Sequence, residues 1–198
     1  MRWIAALSTM AVVAIAMPAL ADETGDKIET ARTAYSHGDG LHTLEALQAA
    51  QSAITTKLVE QFSHVLPPAP AGWQAADTDS QTLDTIGGGL TITRGYVKGE
   101  STLNASLLVD NPAVANILSL FQPGANLASG DGGWRSVTVA GEPALLRFNA
   151  ANREGEIVLA VQGRAALQVE GGEIATDQVL IDAAGGWNLA QLKKLLGP

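Results

Sequence analysis

The stretch that decides the fold runs from Leu90 to Asp110 and reads LTITRGYVKGESTLNASLLVD. Two runs of strand-forming residues, 90–98 and 102–110, flank the turn GES, and this pattern predicts a β-hairpin. The apolar residues of the second run alternate along it: Leu103, Ala105, Leu107 and Val109. The residues between them are polar: Thr102, Asn104 and Ser106. The two strands must be antiparallel because the turn is short, and we expect the polar face to meet solvent.

The chain after this hairpin predicts one helix, four strands and two further helices. Asn111 is placed to cap the first helix and Pro112 to begin it. The four strands are separated by short turns and fall at 135–140, 144–149, 156–162 and 165–170. A helix that begins at Thr176 and another that runs from Asn188 to Leu196 complete the chain. The sequence therefore predicts an α+β fold, in which helices pack on one face of an antiparallel sheet.

The chain before the hairpin predicts two antiparallel helices. A stripe of apolar residues, interrupted by one glutamine, repeats every three or four positions, as one face of a helix does. Its members are Leu44, Leu47, Gln51, Ile54, Leu58, Phe62 and Val65. Upstream of it, Gly38 suits the left-handed residue that ends a first helix, and Asp39 suits the N-cap of the second. We therefore predict a helical hairpin over residues 22–66.

A proline-rich connector, LPPAPAGW, covers residues 66–73. Its three prolines lack the backbone N–H donor and so stop the helix. The predicted organisation is a hairpin at 22–66, a connector at 67–73 and an α+β domain at 74–198.

The first 21 residues are typical of a secretory signal peptide. Arg2 precedes an apolar run at 4–16, and Ala19-Leu20-Ala21 fits the small-residue pattern that signal peptidase cleaves. A membrane-spanning helix needs about 20 apolar residues, and this run is shorter. We therefore expect a periplasmic or secreted protein with no membrane span after cleavage.

Composition excludes several classes of function. The chain has 12 basic and 20 acidic residues, a formal net charge of −8, and no cysteine. Nucleic-acid binding is disfavoured because it depends on clustered Lys and Arg. Disulfides, thiolate catalysis and cysteine-ligated metal sites are excluded.

The three histidines offer two interpretations. His37 and His42, with Asp39 between them, could form a copper or zinc site. His64 lies 22 residues beyond His42 on the same predicted helix, which is about 33 Å and too far for a shared ion. A solvated polar corner between two helices is the preferred interpretation, so we expect no metal and no cofactor.

No other pattern indicates a reactive site. The sequence lacks G-x-S-x-G, and its histidines all lie in the helical part, so no Ser-His-Asp triad is expected. The stretch DTDSQTLD at 77–84 has Thr82 and Gly88 where a calcium loop needs Gly and Glu, and it is interpreted as a polar turn. Five glutamates near predicted turns are interpreted as solvated rather than as acid–base pairs: Glu142, Glu154, Glu156, Glu170 and Glu173. We therefore predict no catalytic residues and a non-enzymatic protein.

Three tryptophans each follow a glycine: Trp73, Trp134 and Trp187. They could line a ligand pocket, with a polar anchor for an anionic group supplied by Arg94, Arg135 or Arg147. The alternative, which we favour, is that each closes an edge of the core with its N–H bonded to a loop carbonyl.

The arrangement AYSHGDGLHTLEALQAAQSAI…LPPAPAGWQAAD resembles that of an uncharacterised family of exported proteobacterial proteins. The resemblance implies a helical hairpin, a connector ending in Gly-Trp and a strand-rich C-terminal part, and it implies no activity. The hairpin is also similar to one tetratricopeptide-type helix pair, which normally stacks in tandem arrays. The order of the C-terminal elements is loosely similar to the Mog1/PsbP-like fold.

These observations favour a periplasmic accessory protein that binds a partner protein, or self-associates, through the hairpin or a sheet face. A module that binds a small molecule in a Trp-lined pocket is the alternative. A hydrolytic enzyme is the third hypothesis and has the least support.

Overall fold

A computed structural model describes residues 23–82, 88–125 and 133–197, which form five helices and seven strands. The signal peptide expected at 1–21 lies outside the described residues. The helices are α1 (Glu23–Ser36), α2 (Gly40–Ser63), α3 (Pro112–Leu120), α4 (Gln178–Gly185) and α5 (Leu189–Leu196). The strands are β1 (Gln74–Thr82), β2 (Leu90–Lys98), β3 (Ser101–Val109), β4 (Arg135–Val139), β5 (Glu142–Asn149), β6 (Glu154–Val161) and β7 (Ala165–Gly172). The α+β class, with helices preceding an antiparallel sheet, is confirmed.

The seven strands form one sheet in the order β1-β2-β3-β7-β6-β5-β4, and every neighbouring pair is antiparallel. The predicted hairpin of β2 and β3 is confirmed, with Ile92 opposite Leu107 and Leu90 opposite Val109. The strand β7 pairs with β3 rather than extending the sheet beyond β4. The second run of strands therefore folds back beside the first hairpin.

The edge strand β1 corrects one prediction. Residues 77–84 were expected to form a polar turn, but Asp77 to Thr82 belong to β1 and pair with β2. Most side chains of β1 are exposed, so no alternation of apolar residues marks it in the sequence. Exposed charges such as Asp77 and Asp79 also discourage pairing with a further strand at a sheet edge.

One face of the sheet carries the main core. Its strands contribute Ile92, Leu107, Leu167 and Leu159, all fully buried. Helices α4 and α5, the end of α2 and the residues just after it add apolar side chains to the same core: Phe62, Val65, Leu180, Ala183, Leu192 and Leu196. A side chain at Gly171 would place its Cβ 2.7 Å from Ile174 and 3.1 Å from Leu180. Glycine on β7 therefore allows α4 and the preceding loop to approach the sheet.

Helix α3 packs on the opposite face of the sheet. Leu108 and Ala166 point away from the main core and form a small cluster with Val114 of α3. The predicted cap is confirmed, since Asn111 Oδ1 accepts a hydrogen bond from the Ala113 N–H at 2.8 Å. The structure thus adds a helix to the second face, where the sequence predicted helices on one face alone.

The chain divides into two compact units, and the boundary falls within α2, between Ile54 and Thr55. In the described part of the first unit, 23–54, the buried side chains are small and repeat every seven residues on each helix: Thr24 and Ala31, Thr43 and Ala50. The predicted corner is confirmed, because Gly38 has φ +74° and the Asp39 side chain accepts from the His42 N–H at 3.2 Å.

The second unit, which begins at Thr55, includes the last turns of α2 and the proline-rich connector. Two hydrogen bonds hold this segment to the sheet and to α5. The Tyr96 hydroxyl donates to the Pro67 carbonyl at 2.5 Å, and the Asn188 N–H donates to the Val65 carbonyl at 3.0 Å. The connector at 67–73 is therefore an integral part of the sheet unit.

Candidate functional site

An apolar surface runs along α2. We call Leu44, Leu47, Gln51, Ile54 and Leu58 the apolar stripe. They recur at alternating steps of three and four, the a and d positions of a heptad. All four of its leucine and isoleucine side chains are exposed, with Leu44 at 60%. Beyond Leu58 the alternation breaks, because Phe62 follows after a second step of four. Phe62, and Val65 just past the end of α2, are buried in the core. The predicted helical face is thus present, but its first four turns remain uncovered.

Three further large apolar side chains of the first unit are exposed: Ile28, Tyr35 and Leu41. The positions that flank the stripe on α2 are mostly uncharged: Thr43, Gln48, Ala50 and Thr55. Large exposed apolar patches are uncommon on soluble monomers and usually mark contact surfaces. The composition of this surface therefore suits contact with another apolar helix rather than with a charged ligand.

At the corner between α1 and α2, Asp39 caps α2 and pairs with His42. His42 Nδ1 lies 2.5 Å from Asp39 Oδ2, while Asp39 Oδ1 accepts from the His42 backbone N–H. The hydrogen bond from the His42 backbone and then that from its ring lower the pKa of Asp39, and the Asp39 side-chain hydrogen bond raises the pKa of His42. Within the described ranges, no three His, Asp or Glu side chains are grouped to hold a metal ion.

The structure does not gather the three tryptophans. Trp187 is buried in the main core, where its Nε1–H has no hydrogen-bond partner among the described residues, unlike the expected bond to a carbonyl. Trp73 is half-buried against the same core. Trp134 instead stacks on Arg147, with the guanidinium carbon 4.8 Å from the ring centroid. Of the candidate anchors, Arg94 donates to Thr78 and Arg135 pairs with Asp177.

A polar cleft of about 570 Å³ lies where α3 leaves the second face of the sheet open. Four side chains form a row across neighbouring strands, since Asn104 lies opposite Glu170, Glu170 opposite Glu156, and Glu156 opposite Arg147. Four further polar residues line the cleft at the adjoining strand ends and turn: Thr102, Asn149, Asn152 and Glu154. We call this site the polar cleft.

A hydrogen-bonded network forms the floor of the polar cleft. Arg147 Nε donates to Glu156 Oε2 at 2.7 Å, and Gln168 Nε2 donates to Glu156 Oε1 at 2.7 Å and to Glu170 Oε1 at 3.2 Å. Glu156 is 8% exposed, so the prediction that it is a solvated glutamate is wrong. Two carboxylates placed directly opposite each other repel, and the Gln168 amide bridges this pair.

The sequence analysis did not single out Asn104, Gln168 or Glu170 as site residues. Alternation in β3 and β7 places each of them on the polar face of its strand. That signal predicts a polar face, but only the pairing of β3 with β7 brings Asn104 beside Glu170. Strand order was therefore the missing information.

A smaller, mostly apolar cleft of about 290 Å³ lies between the end of α2, α5 and the ends of β2 and β3. An ion pair closes one side of it, with Arg164 Nη2 at 2.5 Å and Nε at 3.0 Å from the Asp110 carboxylate. These hydrogen bonds from Arg164 lower the pKa of Asp110. Arg164 also donates to the Leu196 carbonyl. The pair thus ties the end of α5 to the sheet.

Comparisons with protein-family profiles, with curated proteins and with solved structures find no match to this chain. In the part of the chain that the structure describes, no helix has the length and apolar character needed to cross a membrane.

Proposed function

We propose that this protein is an exported, non-enzymatic accessory protein that binds a partner protein through the apolar stripe of α2. The observation that carries the proposal is the exposure of Leu44, Leu47, Ile54 and Leu58 on one face of a continuous helix. Leaving these side chains in water forgoes the stabilisation that burial would give, about 1.5–3 kcal/mol for each fully buried side chain.

The stripe suits one kind of partner, an amphipathic helix of another protein. Its a/d spacing is that of a seam that accepts the knobs of a facing helix, and Gln51 at an a position would select register. Residues 23–63 carry six acidic and three basic side chains, a net charge of −3, and the chain carries −8. A second copy would bring like charge, so a partner helix with neutral or basic flanks is favoured.

A site-specific cross-link tests the proposal in cells that produce the full chain. A photoreactive benzoylphenylalanine replaces Leu47 or Ile54 on the stripe, and replaces Glu45 or Glu60 on the polar side as matched controls. We expect one discrete adduct from the stripe positions and none from the controls. Peptide mapping should place it on a partner segment with apolar residues at helical spacing.

Three outcomes would contradict the proposal. These are no adduct at the stripe, an adduct equal at stripe and control positions, or an adduct made solely with a second copy of this chain. As a further check, Leu44→Glu should abolish the adduct at Ile54 while leaving the thermal unfolding midpoint unchanged, because both side chains are exposed.

A further inference from the structure

The polar cleft is separate from the apolar stripe and has a different chemistry. It lies on the sheet unit, and polar side chains and three glycines make up its lining: Thr102, Asn104, Arg147, Asn149, Asn152, Glu154, Gly155, Glu156, Glu170, Gly171 and Gly172. Its volume of about 570 Å³ falls within the range of small-molecule sites, roughly 300–1,000 Å³. Such sites are usually lined by apolar side chains, so this lining indicates a ligand that forms many hydrogen bonds.

Stability alone does not explain the hydrogen-bonded network at the floor of the polar cleft. Glu156 is buried, and an ion pair in such a place is generally no more stabilising than apolar residues of the same size. Glu170 adds a second carboxylate opposite it. The arrangement does, however, bring the Arg147 guanidinium into contact with both the Glu156 carboxylate and the Trp134 ring.

Charge restricts the class of ligand. The cleft has one guanidinium, from Arg147, and three carboxylates, from Glu154, Glu156 and Glu170. An anion would therefore be repelled. No trio of acidic or histidine side chains in the described chain is placed for a metal ion, so a hard cation lacks the carboxylate ligands it prefers.

We propose that the polar cleft binds a neutral saccharide. Each sugar hydroxyl both donates and accepts hydrogen bonds. The row supplies both kinds of partner on strands that are about 4.8 Å apart. Asn104 contributes an amide that makes no hydrogen bond within the described residues, and Glu170 contributes carboxylate acceptors. At the other end of the row, the half-buried Trp134 ring packs against the Arg147 guanidinium.

Binding measurements with defined sugars test this assignment. The purified full-length protein is titrated by calorimetry with neutral oligosaccharides, and with matched uronic-acid and amino-sugar oligosaccharides. Asn104→Ala and Glu170→Gln change exposed cleft side chains, and Thr138→Ala changes an exposed side chain on β4 as the control. Thermal unfolding of each variant confirms folding.

We expect saturable binding of a neutral oligosaccharide, weakened at least tenfold by Asn104→Ala and by Glu170→Gln and unchanged by Thr138→Ala. Uronic-acid oligosaccharides should bind at least tenfold more weakly than neutral ones. The proposal is overturned if no neutral sugar binds at millimolar concentration, if the acidic or amino sugars alone bind, or if neither cleft variant weakens binding. None of these results bears on the apolar stripe, so the two proposals stand or fall separately.

Discussion

The two ends of α2 both carry apolar side chains at helical spacing, but one end is exposed and the other is buried. Leu44 near the start is 60% exposed, whereas Phe62 near the end is 5% exposed. A helical spacing of three or four residues is present at both ends, so it does not by itself explain the difference. The difference comes from what lies beside the helix, since at its end Tyr96, Asn188 and the sheet hold the chain that follows. A periodic pattern therefore identifies a helical face but not the surface that covers it.

The largest effect on stability is expected from a substitution at the buried end of α2. Phe62→Ala removes a ring from the main core and should lower the free energy of unfolding by about 3–5 kcal/mol. The matched change at the exposed end, Leu44→Ala, should cost no more than about 0.5 kcal/mol. Urea denaturation measures both. Similar losses for the two variants would mean that the stripe is buried in the isolated protein.

The sequence predicted most of the elements because each has a local signal. Asn111 and Pro112 marked α3, and Gly38 with Asp39 marked the corner. The strand β1 was missed because it is held by backbone pairing at a sheet edge, while its side chains are polar and exposed. Edge strands of this kind leave no apolar alternation to detect.

The candidate site was less predictable than the fold. The row in the polar cleft joins four side chains from four strands, and their proximity depends on strand order and register: Asn104, Glu170, Glu156 and Arg147. A shift of one residue in register would move these side chains to the core face. The sequence analysis indicated a polar face on β3, but not that it would meet polar side chains of the other strands.

A second prediction concerns Glu156, which is as buried as many core residues but is paired. Arg147→Met leaves the Glu156 carboxylate without its ion-pair partner and should lower the free energy of unfolding by about 1–2 kcal/mol. This is less than the cost for a fully buried pair, because Arg147 is half exposed and water screens the charge. The double variant Arg147→Met with Glu156→Met should recover stability. If the double variant is less stable than Arg147→Met alone, the unpaired Glu156 carboxylate is not what destabilises the single variant.

A third prediction compares two tyrosines. Tyr96 is buried, burial raises its pKa, and its hydroxyl donates to the Pro67 carbonyl, whereas Tyr35 is 77% exposed. Tyr96→Phe removes that hydrogen bond and should cost about 1 kcal/mol, and Tyr35→Phe should leave stability unchanged. Thermal unfolding of the two variants measures the difference. Equal midpoints would show that the hydroxyl does not hold the connector.

The smallest effect is expected at the exposed corner, where His42 and Asp39 stabilise each other as charged groups. The pKa of His42 is raised from 6.5, so its stabilisation is complete below that value and is lost as pH rises through the higher pKa of the folded state. The pKa of Asp39 is lowered from 3.8, so its contribution is present above that value and is lost as pH falls through the lower folded pKa. The corner is thus most stable at pH values between the pKa of Asp39 and the pKa of His42.

A titration of the His42 ring followed by NMR should give a midpoint above 6.5. Asp39→Asn should bring it down, because the charge partner is removed, and a midpoint that does not move would show that the Asp39 carboxylate is not that partner.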